Sequence, residues 1–127
     1  MEETVRRIYE GWSGGDFTAR VDLWHPDALL VLNPEFPDSG NYVGLEQIAS
    51  YMREFLEPWE LLTISPGEIV AGENVVVAAV VQRGTGRQSG LETELRYFQV
   101  WTLRNDRVAR LENVREREDA LEAAGLR

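Results

Sequence analysis

Residues 91–103, LETELRYFQVWTL, constrain the fold more than any other stretch of this chain. Leu91, Thr93, Leu95, Tyr97, Gln99, Trp101 and Leu103 recur at a period of two, which puts them on one face of a long strand. That face is apolar and aromatic except at Thr93, ordinary in a strand, and at Gln99, between Tyr97 and Trp101. A primary amide has four hydrogen-bond valences, and each one left unmade in a core costs roughly 1–3 kcal/mol. Gln99 therefore predicts a polar network or a wet cavity at this point of the sheet. The opposite face is charged at Glu92, Glu94 and Arg96, apolar at Phe98 and Val100, and polar again from Thr102. A neighbouring element or a second subunit is expected to cover that apolar pair.

With 127 residues the chain makes one domain, 1–127, with one core. A net charge of −9 argues against nucleic acid or an anionic membrane as partner. All 13 basic residues are arginine. Cysteine is absent and histidine occurs once, which removes thiolate and His-rich metal sites; no metal and no cofactor are expected. No apolar run reaches the ~20 residues of a membrane span, and the start MEETVRR lacks the features of a signal peptide, so a cytoplasmic protein is expected.

Val5, Ile8, Tyr9 and Trp12 are spaced for an amphipathic helix that Gly14-Gly15 ends. Asp16 offers an N-cap for a second helix through Phe17, Val21 and Trp24, closed by His25-Pro26. A short strand follows at 29–32. Residues 33–42 form a covering loop that carries Glu35 and Asp38, and a third helix spans 45–57 with Leu45, Ile48, Ala49, Met52, Phe55 and Leu56 inward. The period then changes to two. Strands are predicted at 59–70, with a bulge at Pro66-Gly67, at 75–82, at 91–103 and at 107–115, before a short surface helix at 116–125. A three-residue turn at 104–106 would set Ala109, Leu111, Asn113 and Arg115 on the face of Gln99; a two-residue turn would set Glu112 there.

Helix, GGD, helix, LWHPDA, a strand ending in Asn33-Pro34, then NYVGLEQI and paired long strands resembles the SnoaL-like branch of the NTF2-like superfamily over nearly the whole chain. The resemblance implies an α+β fold: a cone-shaped, strongly curved antiparallel sheet with three N-terminal helices enclosing a pocket. It also implies a homodimer through the outer sheet face. Ketosteroid isomerases of this superfamily take an oxyanion donor from the first helix, where Tyr9 stands here. Their general base is an aspartate before a proline, where this chain has Asn33, and their second donor is a late-strand aspartate, where it has Gln99. The Arg-x-Asp of the limonene-epoxide-hydrolase relatives is replaced by Arg96-Tyr97-Phe98. The acid that polyketide cyclases hold on the last strands falls at Asn113 or Arg115.

The expected site thus has Tyr9 and Gln99 as hydrogen-bond donors in a catalytic position. Asn33, Gln82, Asn113 and Arg115 complete its polar set, and Trp12, Trp24, Trp59, Tyr97 and Trp101 wall it. An apolar concavity with a few convergent polar groups suits a small molecule, here an apolar oxygenated compound such as a polyketide, a terpenoid or a steroid-like ligand. An isomerase- or cyclase-type enzyme using Tyr9 and Gln99 against an enolate, or a dimeric interaction module without chemistry, are the alternatives. His25, before Pro26, is expected to bond a backbone carbonyl, and Arg83 and Arg87 to pair across strands with Glu92 and Glu94.

Overall fold

Four long stretches of β-pattern and one short one, with a sixth strand added, form a six-stranded sheet in the order β2-β1-β6-β5-β4-β3 in a computed structural model, which describes residues 2–18, 20–36 and 39–126. The strands are β1 (Trp24–Leu32), β2 (Gly40–Val43), β3 (Trp59–Gly72), β4 (Val75–Gly86), β5 (Glu92–Arg104) and β6 (Arg107–Val114). The sheet is curved and unclosed. Four of its pairings are antiparallel, and one, β1 with β6, is parallel. That exception arises because the first long strand lies beside the last, with no hairpin to join them. Pro66 and Gly67 fall in a register shift of β3, an edge strand, where a missing N–H leaves no ladder bond unmade. The residues at 40–43, expected in the covering loop, add β2 to the other edge.

The last hairpin turns Leu111 and Asn113 to the expected face by an unexpected route. Asn105 and Asp106 both have positive φ, 55° and 61°, and Arg104 pairs with Arg107, so the turn has two residues rather than three. Leu103 then pairs with Val108 and Thr102 with Arg110, which leaves Ala109 bulged out of the ladder. The extra residue restores the facing, although the pairing lies two residues from that of a three-residue turn, and Gln99 lies opposite Asn113, with Glu112 opposite Val100 on the other side.

Helix α1 (Glu2–Ser13) buries Val5, Ile8, Tyr9 and Trp12 on the concave face. Thr4 Oγ1 donates to Asp106 O at 2.9 Å, tying its first turn to the β5–β6 turn. The helix expected from Asp16 is absent. Asp16 Oδ1 accepts from Thr18 N and Oγ1, a local turn that competes with helix. Arg20 is left-handed at φ 60°, only a 3-10 turn forms at Val21–Leu23, and Trp24 is already extended. Among the described residues the N-terminal α-helices are therefore two, and α2 (Gly44–Leu56) is the second. His25, inside β1 rather than at a helix end, lies with Nε2 2.6 Å from Arg104 O. Among the described residues no helix is long and apolar enough to cross a membrane.

The C-terminal helix α3 (Arg117–Ala123) packs on the outer face, where Ala120, Ala124 and Leu126 join Val75, Val77, Phe98, Val100 and Val114 in a second, smaller core. The apolar centre read from Phe98 and Val100 is thus covered from within the same chain. Val100 is 3% exposed. A carboxylate placed there has no partner and should cost at least about 3 kcal/mol. Val100→Asp should therefore lower the thermal midpoint equally at all protein concentrations; a loss confined to dilute protein would place Val100 at a subunit contact instead.

Candidate functional site

Where α1 ends, the concave face of the sheet is left uncovered by backbone, and the space between it and α2 is a cavity of about 1000 Å³. Drug-sized ligands occupy pockets of roughly 300–1,000 Å³. Its floor comes from the inward residues of the strands: Leu30 and Leu32 on β1, Leu111 on β6, Leu95 and Tyr97 on β5, Ile64 on β3. Trp12 and Trp24 close one end, and Trp59 stands at the far side. The roof is α2, whose helical spacing aims Leu45, Ile48, Met52 and Phe55 inward. Only Ile48 of that helix is fully buried, since its apolar stripe borders empty space rather than packed side chains. Trp59 owes its position to Gly84: a Cβ there would come within 2.6 Å of the indole, a close approach that only glycine permits.

One chain of hydrogen bonds crosses from the packed core into this cavity. Trp101 Nε1 donates to Tyr9 Oη at 2.9 Å, Tyr9 Oη donates to Gln99 Oε1 at 2.6 Å, and Gln99 Nε2 donates to Asn113 Oδ1 at 3.1 Å. Its direction is forced. An indole N–H is a donor only, so the tyrosine oxygen accepts from it and sends its single proton onward. The atom of Gln99 that receives this proton must be the oxygen, and the atom turned to Asn113 the nitrogen. On β4, Tyr97 Oη donates to Gln82 Oε1 at 2.9 Å. No buried side-chain nitrogen or oxygen among the described residues lacks a partner.

Of the residues expected at the site, Trp12, Trp24, Trp59, Gln82, Tyr97, Gln99 and Asn113 line the cavity. Tyr9 and Trp101 stand behind it, fully enclosed, with the tyrosine hydroxyl engaged on both sides. The Tyr9 hydroxyl is thus spent on Trp101 and Gln99 and holds the Gln99 amide in place. Asn33 is turned to the backbone: Oδ1 accepts from Glu35 N at 3.0 Å, the local turn that Asn-Pro favours. Arg115 lies beyond the end of β6 and is exposed, because the chain leaves the sheet after Val114 toward α3. Glu35 is exposed and outside the lining; Asp38 lies outside the described residues. Arg83 pairs with Glu94 at 3.1 Å, while Arg87 donates to Glu57 O and Trp59 O. Phe36 was missed. It reaches from the loop after β1 to meet Tyr97 edge-on at 5.5 Å and lines the cavity. An aromatic residue among prolines and acids was the signal for it.

Curvature, helices on the concave side and an apolar cavity between them and the sheet define an NTF2-like α+β protein. The SnoaL-like domain model matches residues 5–111, and the chain belongs to that family. An NTF2-like protein of unknown function from Burkholderia pseudomallei K96243 has the same fold at 18% identity, with a TM-score of 0.78 over 95% of this chain and 94% of that one. A putative SnoaL-like polyketide cyclase from Jannaschia sp. CCS1 is similar at 16% identity, TM-score 0.76, covering 98% and 90%. TerC, co-crystallised with polyporic acid, is similar at 18% identity, TM-score 0.77, covering 98% and 97%. No curated protein sequence matches the chain.

Among the described residues no three His, Asp or Glu side chains converge as metal ligands do. The sheet-side floor holds amides and phenols and no carboxylate. Burial pushes the Tyr9 phenol well above its ordinary value; the Trp101 hydrogen bond opposes this and nearby Tyr97 adds to it. An unfolded tyrosine releases its proton near pH 10, whereas folded Tyr9 keeps it to higher pH. The stability this contributes is intact below about pH 10 and is lost as pH rises toward the folded value. The melting temperature of the wild type should therefore fall more steeply above pH 10 than that of Tyr9→Phe. Parallel curves would mean that the phenol ionises in the folded protein as readily as in the unfolded one.

Proposed function

We propose that this SnoaL-like protein binds an apolar, oxygenated small molecule, such as a polyketide, terpenoid or steroid-like compound, in the cavity under α2. The observation that carries this reading is the cavity itself: about 1000 Å³, apolar on most of its wall, with amide groups of Gln82, Gln99 and Asn113 set into the floor. The cyclase described for one similar fold and the polyporic acid held in the TerC crystal are consistent with it. Amides donate hydrogen bonds to a carbonyl or an enolate, and preorganised donors are worth roughly 3–4 kcal/mol where charge develops. They take no proton at neutral pH. Isomerisation that needs a base at carbon is therefore not part of the proposal.

Tryptophan quenching and thermal shift test the reading, because Trp12, Trp24 and Trp59 border the cavity. Aromatic polyketides and terpenoid ketones should quench saturably and raise the melting temperature of the wild type. Leu111→Arg, which sets an unpaired guanidinium in the floor, should abolish both responses. Identical responses in the two proteins would move binding elsewhere, and steroid isomerase turnover would bring a base back into the account.

A second copy is proposed to sit on the outer sheet face beyond α3, where Ala79, Val81 and Phe98 stay partly exposed. Light scattering should give a dimer for the wild type and a monomer for Val81→Arg, with ligand responses unchanged. A wild-type monomer at micromolar concentration would remove this part.

A further inference from the structure

The cavity offers its ligand donors at two separate stations. At the first, Asn113 Oδ1 is held by Gln99 Nε2, so its NH2 group is turned away from the relay. At the second, Gln82 Oε1 is held by the Tyr97 hydroxyl, which leaves its NH2 group likewise. Both residues line the cavity, and among the described residues neither amide nitrogen has a protein acceptor. The polarity of the first station does not rest on a free choice of amide orientation, because the donor-only indole of Trp101 dictates each step as far as Asn113.

The two stations are far apart. Gln82 pairs with Leu95 and Asn113 with Gln99, on the two strands that flank β5. Four residues along β5 and two strand spacings across it separate their backbones by roughly 16 Å. A single oxygen cannot answer both. The floor between them is the Tyr97 ring with Leu95, and the charged residues of the lining, Glu46, Arg53 and Glu54, all belong to α2 on the opposite side. A carboxylate drawn onto this floor would lose its hydration with no counter-charge on the sheet side, whereas a neutral carbonyl or ether oxygen loses little and gains a donor.

We propose that the cavity selects an elongated, neutral, largely aromatic or alicyclic ligand with hydrogen-bond acceptors at both ends and donors at neither, one end held by Asn113 and the other by Gln82. This rests on the ligand-binding reading above and adds to it the polarity and length of the ligand. A hydroxyl at either end still accepts, but its own hydrogen then has no acceptor on the protein side.

Four probes on one skeleton test it by tryptophan-quenching titration: para,para′-diacetylbiphenyl, monoacetylbiphenyl, biphenyl, and the diol made by reducing both ketones. The diketone should bind the wild type at least about fivefold tighter than the monoketone, the diol or the hydrocarbon, the ratio one well-made buried hydrogen bond confers. Gln82→Leu should bring the diketone to the level of the monoketone. Asn113→Asp keeps an oxygen for Gln99 Nε2 and replaces the donor by an acceptor, so it should weaken the diketone at least about fivefold and shift preference toward the diol. Melting curves establish that both variants fold, and if Asn113→Asp does not, Gln82→Leu decides alone. Equal affinity for all four probes overturns the two-station proposal and leaves the binding cavity standing. Binding of none overturns both.

Discussion

The hydrogen bond from Trp101 Nε1 to Tyr9 Oη is the interaction on which the rest of the inner face depends. It joins α1 to β5 in a fully enclosed position and passes through Gln99 to β6, so the first helix and the last hairpin, distant in sequence, share one set of protons. In a low-dielectric interior such a chain is strong when complete and costly when broken at any link, because each polar atom left over has no water to turn to. Four aromatic rings, Tyr9, Trp12, Trp24 and Trp101, pack around it with neighbouring centroids 5.5–6.4 Å apart. Hydrocarbon thus shields this polar line within the core.

That packing also explains where the cavity is. Along the inner row of β5, Leu103 and Trp101 lie under α1 in the packed core, whereas Tyr97 and Leu95 border open space beneath α2. Gln99 stands at the boundary, and its amide is the residue type that such a place requires. Its oxygen faces the core hydroxyl and its nitrogen the cavity-side Asn113. An apolar side chain there would leave the tyrosine proton and the Asn113 carbonyl oxygen without their partners.

Period-two patterning made β3, β4, β5 and β6 legible in the sequence, together with the bulge at Pro66-Gly67 and the inward face of α2. The isolated glutamine made the buried network legible as well. What escaped depended on choices between near-equal local options. Asp16 bonds its own neighbour Thr18 where a helix N-cap was expected, and the left-handed Arg20 then sends the chain straight into β1. Asn105-Asp106 forms the shorter turn, and the bulge at Ala109, which no residue type announces, cancels the difference. Arg115 was placed inward by extending the alternation one residue past the strand's end. Phe98 and Val100 were rightly seen to need a cover, but a strand pattern does not say whether α3 or another subunit supplies it.

The same sheet face therefore divides its residues between two tasks. Tyr9, Trp101 and Gln99 are held by one another, and altering any of them breaks a buried chain and unsettles the fold before it reaches a ligand. Asn113 and Gln82 each spend their oxygen on the protein and keep their nitrogen on the cavity side. Exchanging an amide for an acid at position 113 keeps the bond to Gln99 and puts a titratable oxygen on the floor.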